Sequence, residues 1–224
     1  KIKNLLDLYK FKKFNEALSL NKQLIQEYPK IVILYNIMGL TLYEQKKIDK
    51  AINVYKEGLK VDPRFAMLYN SLGTAYREKK LDKEAEKYFK KSIELDNKIP
   101  EPQNNLGNIY LAQDKYDQAI NCFKKAISIN SNFFVSHYNL GVLYKNLGKF
   151  EDAKKHLMLA IKINKYFFTA HRTLSQLINY KNENKHFENI KELYNDKKIK
   201  DINKTELAFA LGKACEEKDL FKLS

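Results

Sequence analysis

The sequence predicts an all-α protein, a right-handed superhelical solenoid of helix–turn–helix repeats. Three observations predict it. Small residues recur in phase: Gly39, Gly73, Gly107 and Gly141 stand 34 residues apart, each twelve residues before an alanine of the series Ala17, Ala51, Ala85, Ala119 and Ala153. Ile25, Leu59, Ile93, Ile127 and Ile161 follow those alanines by eight. Between the small residues, apolar side chains recur at helical spacing, as in Leu106, Gly107 and Tyr110, then Tyr116, Ala119, Phe123 and Ile127. Finally, 7 Gly and 4 Pro among 224 residues leave room only for short turns. A unit of this length cannot bury its apolar face alone and must stack on its neighbours.

The elements follow in order. The first unit, 1–31, is partial, entering part-way through a first helix and carrying a second helix around Ala17 that stops before Pro29. Units 32–65, 66–99, 100–133 and 134–167 each hold a first helix with the glycine, a tight turn such as "QDKYDQ", and a second helix with the alanine. Glycine inside a helix costs about 1 kcal/mol relative to alanine, so this register needs a packing reason. Close approach of two helices, with Tyr and Phe filling the space beside them, supplies one. Pro63 ends the second unit, and Leu81 sits one place early in its turn. Unit 168–201 is divergent: "HRTLSQLI" (171–178) opens it with Ser175 in the glycine register, and Phe187 stands where an alanine belongs on a second helix at about 184–195. The pattern restarts 37 residues on, where Leu211 and Gly212 regain the Leu-Gly step. Residues 202–224 therefore read as the first helix of a truncated seventh unit, with Ser224 on the register of the next alanine.

These residues resemble the tetratricopeptide (TPR) repeat, whose W-x2-L-G-x2-Y then A, F, A pattern appears as "YNSLGTAY" (69–76) with Ala85 and Phe89. It recurs as "QNNLGNIY" (103–110) with Ala119, Phe123 and Ala126, and as "HYNLGVLY" (137–144) with Ala153 and Ala160. Tyr35, Tyr69, Gln103, His137 and His171 replace the tryptophan, and Leu42 replaces the tyrosine in the second unit. The resemblance implies a concave groove lined by first helices that binds a peptide or protein. Its groove-facing positions fall on Asn36, Asn70, Asn104, Tyr138 and Arg172, then Thr74, Asn108 and Gln176, then Tyr43, Arg77 and Lys145. Asparagine offers both donors and an acceptor, so Asn36, Asn70 and Asn104 form a ladder suited to the backbone amides of an extended peptide. No K-x3-R pair stands at the groove, which argues against a clamp for a C-terminal carboxylate.

The closing stretch "INKTELAFALGKACEEKDLFKLS" (202–224) is similar to the last repeat before the enzyme domain of bacterial tetratricopeptide–sulfotransferase proteins, with its "FALGKA-x-[ED]" segment. The match rests on Phe209, Ala210, Leu211, Gly212, Lys213, Ala214 and the pair Glu216 and Glu217. It implies an N-terminal module with a sulfotransferase domain in cis after residue 224. Such a domain holds its donor on a glycine-containing phosphate loop. These residues show no such loop, no GxxxxGK and no catalytic constellation, so the chain itself is expected to be non-catalytic and to need no cofactor. A stand-alone adaptor and a homo-oligomeric assembly scaffold are the alternatives.

The formal charge of +14 and pI of about 9.4 make nucleic acid, an anionic membrane or an acidic partner physically possible. The lysines are spread along the chain, and the pairs Lys12–Lys13, Lys46–Lys47 and Lys79–Lys80 recur near turns, where a solvated rim is expected. Neither a specific nucleic acid nor a membrane is therefore expected as partner. Cys122 and Cys215 form no CxxC pair, which fits a reducing compartment rather than a disulfide framework or zinc site. His137 and His171 occupy the large-residue register and are expected to pack there. His156 and His186 fall on second helices with no ligand spacing, so no metal site is expected. No signal peptide opens the sequence, and the apolar stretch Ile31 to Tyr43 is too short to span a bilayer. A cytoplasmic location is the expectation.

Overall fold

A computed structural model describes residues 1–219, so the register at Ser224 lies outside the described residues. Those residues form thirteen α-helices and no strand, and the chain divides into two compact units. Unit 1, Lys1–Lys115, holds α1 (Ile2–Lys10), α2 (Phe14–Glu27), α3 (Val32–Glu44), α4 (Ile48–Val61), α5 (Ala66–Glu78), α6 (Asp82–Leu95) and α7 (Pro100–Ala112). Unit 2 starts at Tyr116 and holds α8 (Tyr116–Ile129), α9 (Phe134–Asn146), α10 (Phe150–Ile163), α11 (Phe168–Ser175), α12 (Lys185–Asn195) and α13 (Asp201–Glu217). Odd-numbered helices fall where the first helix of each expected unit would lie, and even-numbered ones where the second would.

Three backbone devices repeat every 34 residues. The first joins the two helices of a repeat. At Lys12, Lys46, Lys80, Asp114 and Gly148 the chain turns left-handed, with φ between 57° and 73°. The N–H groups of that residue and the next then return to carbonyls in the last turn, as Lys46 to Tyr43 (2.8 Å) and Lys47 to Leu42 (2.9 Å), or Gly148 to Lys145 (3.1 Å) and Lys149 to Tyr144 (2.9 Å). This is the Schellman pattern that satisfies the orphaned carbonyls of a helix end. The second device joins successive repeats: the side chains of Asp62, Asp96, Asn130 and Asn164 accept the backbone N–H two residues on, at 2.9–3.1 Å.

The third device explains the residues standing in place of tryptophan. Tyr35 and Tyr69 donate their hydroxyls to the carbonyls of Pro29 (3.1 Å) and Pro63 (3.0 Å), six residues back. His137 and His171 reach the carbonyls of Ser131 (3.2 Å) and Lys165 (2.9 Å) from the same register. Each side chain closes the turn that precedes its own helix.

Packing follows the small residues. All five register alanines are fully buried, and so are, within 1% exposure, the large side chains four further along the second helix: Tyr55, Phe89, Phe123 and Leu157. A Cβ on Gly39 would overlap the Tyr55 ring, one on Gly73 would stand 2.5 Å from Phe89, and one on Gly141 would meet Leu157 at 2.8 Å. The glycines are therefore slots for the largest buried side chain of the partner helix. Burial also drives the Tyr55 phenol pKa up.

The helix pair α11–α12, expected as a divergent sixth unit, departs from the pattern in a way the sequence did not indicate. Its first helix ends at Ser175, short of the thirteen residues seen in α3, α5, α7 and α9. Lys213 of α13 donates to the carbonyls of Ser175 (2.6 Å) and Ile178 (2.9 Å), stabilising an early exit. The freed segment buries Tyr180 completely within a core shared by Leu174, Phe187, Ile190, Leu207 and Ala210.

Candidate binding face

Residues spaced by four and three along a helix lie on one stripe. Unit 1 places Asn36 and Tyr43 on such a stripe of α3, Asn70, Thr74 and Arg77 on α5, and Asn104 and Asn108 on α7. Asn36 is not a surface group. It is 1% exposed, and its Oδ1 accepts the Ser71 hydroxyl at 2.8 Å, from the next first helix. Asn104 is also buried, at 4% exposure. Burial needs a hydrogen-bond partner in return, and Asn36 obtains its own from Ser71.

Asn70 is half-buried, with its Oδ1 receiving the Asn105 amide at 3.0 Å; that bond uses the acceptor and leaves the Asn70 donors out of it. Thr74 turns its hydroxyl back to the Asn70 carbonyl at 3.0 Å, Asn108 is half-buried, and Arg77 is exposed. At the stripe's edge the Tyr43 hydroxyl donates to Glu78 (3.4 Å), and Lys46 pairs with the same carboxylate at 3.0 Å. The Lys46 hydrogen bond and charge hold Glu78 below the usual carboxylate range, while burial, followed by the Glu78 charge, raises the Tyr43 phenol.

Unit 2 carries a different chemistry at the same registers. Tyr138 on α9 is half-buried against the Phe167 ring, edge-on at 4.8 Å between centroids. Lys145 donates to Gln176 at 2.8 Å, and Gln176 is exposed. The Arg172 guanidinium lies 4.2 Å over the ring of Phe209 on α13, with one nitrogen 3.5 Å from each oxygen of Glu206. Phe209 itself is 57% exposed. Sequence reasoning found Arg172 but missed Phe209 as its stacking partner, although both fall three residues before the Leu-Gly register or its counterpart. Stacking fixes the guanidinium plane while its edge keeps donors suited to a planar anion.

Profiles of the TPR repeat match residues 39–80 and 107–148, and tetratricopeptide repeat profiles match 67–99, 88–121 and 134–167, so the matches run unbroken from 39 to 167. The chain belongs to the tetratricopeptide-repeat family. Among curated proteins none matches it. The TPR fold is shared with solved structures. TTC0263, a thermophilic TPR protein of Thermus thermophilus, superimposes with a TM-score of 0.67 at 17% identity, over 78% of this chain and 95% of that one. MamA protein gives 0.56 at 25% identity, over 86% and 96%. YrrB, described as a TPR protein with an unusual peptide-binding site, gives 0.56 at 18% identity, over 91% and 98%.

The lysine pairs at the TPR turns are exposed, and two of their members form ion pairs between neighbouring repeats: Lys46 with Glu78, and Lys79 with Asp49 at 2.6 Å. Among the described residues no helix is long and apolar enough to cross a membrane. No group of three His, Cys, Asp or Glu among them is disposed to hold a metal ion.

Proposed function

We propose that this chain is a non-catalytic TPR interaction scaffold that binds an extended peptide or protein segment along the first-helix stripes. The observation that carries the reading is a stripe of half-buried and exposed polar groups on the first helices of unit 1: Asn70, Thr74 and Arg77 on α5, with Asn108 on α7 at the register of Thr74. Asn70 donors and the Asn108 amide suit a peptide backbone, and Arg77 adds a cation. Within unit 2 by itself, Tyr138, Lys145, Arg172 and Gln176 would offer a ligand an aromatic and a stacked guanidinium, favouring an acidic side chain there. Asn36 acts from beneath, fastening α3 to α5 through Ser71, and Asn104 is buried. YrrB, a structural relative with a peptide-binding site, supports the class of ligand.

Peptides selected from a random library on the immobilised chain test this. N70A/N108A should bind them at least tenfold more weakly, since two ligand hydrogen bonds are worth about 1 kcal/mol each. Binding is read well below the melting transition, because the variant also loses the Asn105–Asn70 bond. Equal binding by the double variant would move the site elsewhere.

The finer context we propose is the N-terminal module of a sulfotransferase-type protein, supported by Phe209 to Glu216 on α13. A strand followed by a glycine-containing phosphate loop in the codons after Ser224 would bear this out, and a stop codon there would remove it.

A further inference from the structure

All four histidines lie in unit 2, and the fold brings them together in pairs. His137 on α9 meets His156 on α10 with their Nδ1 atoms 3.0 Å apart, and His171 on α11 meets His186 on α12, Nδ1 to Nε2, at 3.1 Å. The turn carbonyls fix the protons. His137 and His171 direct Nε2 at the carbonyls of Ser131 and Lys165, which only accept, so both Nε2 atoms carry hydrogen and both Nδ1 atoms are bare in the neutral rings. The hydrogen in each gap belongs to the second-helix partner: His156 Nδ1–H donates to His137, and His186 Nε2–H donates to His171. His186 Nδ1, bare in turn, accepts the Tyr180 hydroxyl at 2.7 Å. The planes of His171 and His186 differ by only 14°, which aligns lone pair and N–H. Such a gap holds a proton rather than a metal ion, which needs about 2.0–2.1 Å to each nitrogen and further ligands.

We propose that the two histidine pairs are proton-operated locks, which open α9–α12 in mild acid while unit 1 stays closed. His137, His171 and His186 are 5%, 1% and 4% exposed. One added proton places a cation in that environment, and a second on the same pair leaves two donors facing each other. No carboxylate is hydrogen-bonded to any of the four rings among the described residues; Glu183 Oε1 is engaged by the backbone N–H of His186 at 3.2 Å. Around His156, Lys155 and Lys124 add repulsion and Asp152 opposes it. Beside the second pair, a cavity of about 460 Å³ is lined by Lys162 and Lys165 on one side and Glu183, Lys185 and Glu192 on the other. From α13, Lys213 stands 5.9 Å over the Tyr180 ring, and Glu217 accepts the Tyr180 backbone N–H at 2.7 Å.

Burial first, then the partner imidazole, holds His156 at about 4 and His186 at about 3; burial also lowers His137 and His171 against the pull of their carbonyl bonds. Folded values below the unfolded 6.5 mean that the stabilisation is complete above pH 6.5 and is lost as pH falls through the window beneath it. From pH 7.5 to 5.5 each strongly depressed histidine raises the opening constant about tenfold, so His156 and His186 together give about a hundredfold. Unit 1 has no histidine to respond. Tyr138 and Arg172 directly follow His137 and His171, so a ligand held there would be released; that consequence rests on the proposed binding face, whereas the opening does not.

Hydrogen exchange of the full chain at pH 7.5 and 5.5, corrected for intrinsic rates, tests the locks without any ligand. Amides of α9–α12 should lose about a hundredfold protection and those of α3–α6 should keep theirs. H156Q/H186Q, which retains the donors but removes the two strongly depressed imidazoles, should lose far less protection, only the share that His137 and His171 contribute. Unchanged protection in α9–α12, an equal loss in α3–α6, or the same loss in the glutamine variant would overturn the proposal. Should that variant not fold, an NMR titration of the native imidazoles decides: values well below 6.5 for His156 and His186 support the locks, and values near 6.5 overturn them.

Discussion

A single absent carbon sets how closely α3 approaches α4. The Tyr55 ring fills the slot above Gly39 and is 1% exposed, so it has nowhere to swing when a methyl group arrives. Gly39→Ala should therefore lose about 1–3 kcal/mol through overpacking. Gly212 occupies the same register on α13, yet among the described residues nothing lies within 4 Å of the position its Cβ would take. There the helix propensity of alanine acts alone, and Gly212→Ala should gain up to about 1 kcal/mol. Urea unfolding of the two variants checks both signs. A neutral result at Gly39 would mean that the slot is not tightly filled. Ser71 works on the same scale: its hydroxyl satisfies the buried Asn36 oxygen, which makes one residue of the expected ladder a fastening between helices.

At the scale of the element, the turn between paired helices is held by its backbone and not by its side chain. Lys12, Lys46, Lys80, Asp114 and Gly148 share one left-handed conformation, and only the last is the residue that adopts it without strain. Gly148 has open space around it, so Gly148→Ala should lose about 1 kcal/mol purely from φ. Lys80→Gly should gain under about 1 kcal/mol, the relief of strain being partly offset by a more flexible unfolded chain. Differential scanning calorimetry would resolve opposite shifts in Tm, and shifts of the same sign would contradict the assignment. The helices around these turns were legible because Gly, Ala and the large apolar residues keep phase over 34 positions. The turn conformation was not, since two backbone hydrogen bonds impose it even on lysine, which bears strain that glycine does not. The early end of α11 was hidden for another reason: the lysine that stabilises it, Lys213, lies 38 residues away from Ser175. The stripe proposed for binding follows a register visible in the sequence, but which of its asparagines stay available depended on Ser71 and Asn105, each one position past the register of its own helix.

At the scale of the whole molecule, the charge of +14 asks whether this scaffold is also a polyanion binder. Its lysines are distributed and partly neutralised. Ion pairs link Lys1 to Glu27, Lys46 to Glu78 and Lys79 to Asp49 between helices, and Lys60, Lys90, Lys91 and Lys154 to carboxylates on their own helices. Such exposed pairs add little stability, but they lower the density of unpaired cation that a nucleic-acid backbone would meet. Aromatic side chains near these lysines lie under them at 5–6 Å rather than forming a platform for successive bases, as with Tyr43 under Lys46 and Tyr144 under Lys149. Binding to a random single-stranded RNA should therefore be weak at 50 mM salt and lost by about 200 mM, the signature of counterion release alone. It should also be indifferent to N70A/N108A. Fluorescence anisotropy across a salt series measures this, and affinity that persists at 200 mM or falls with the asparagine variant would show that the stripe receives a nucleic acid instead of a peptide.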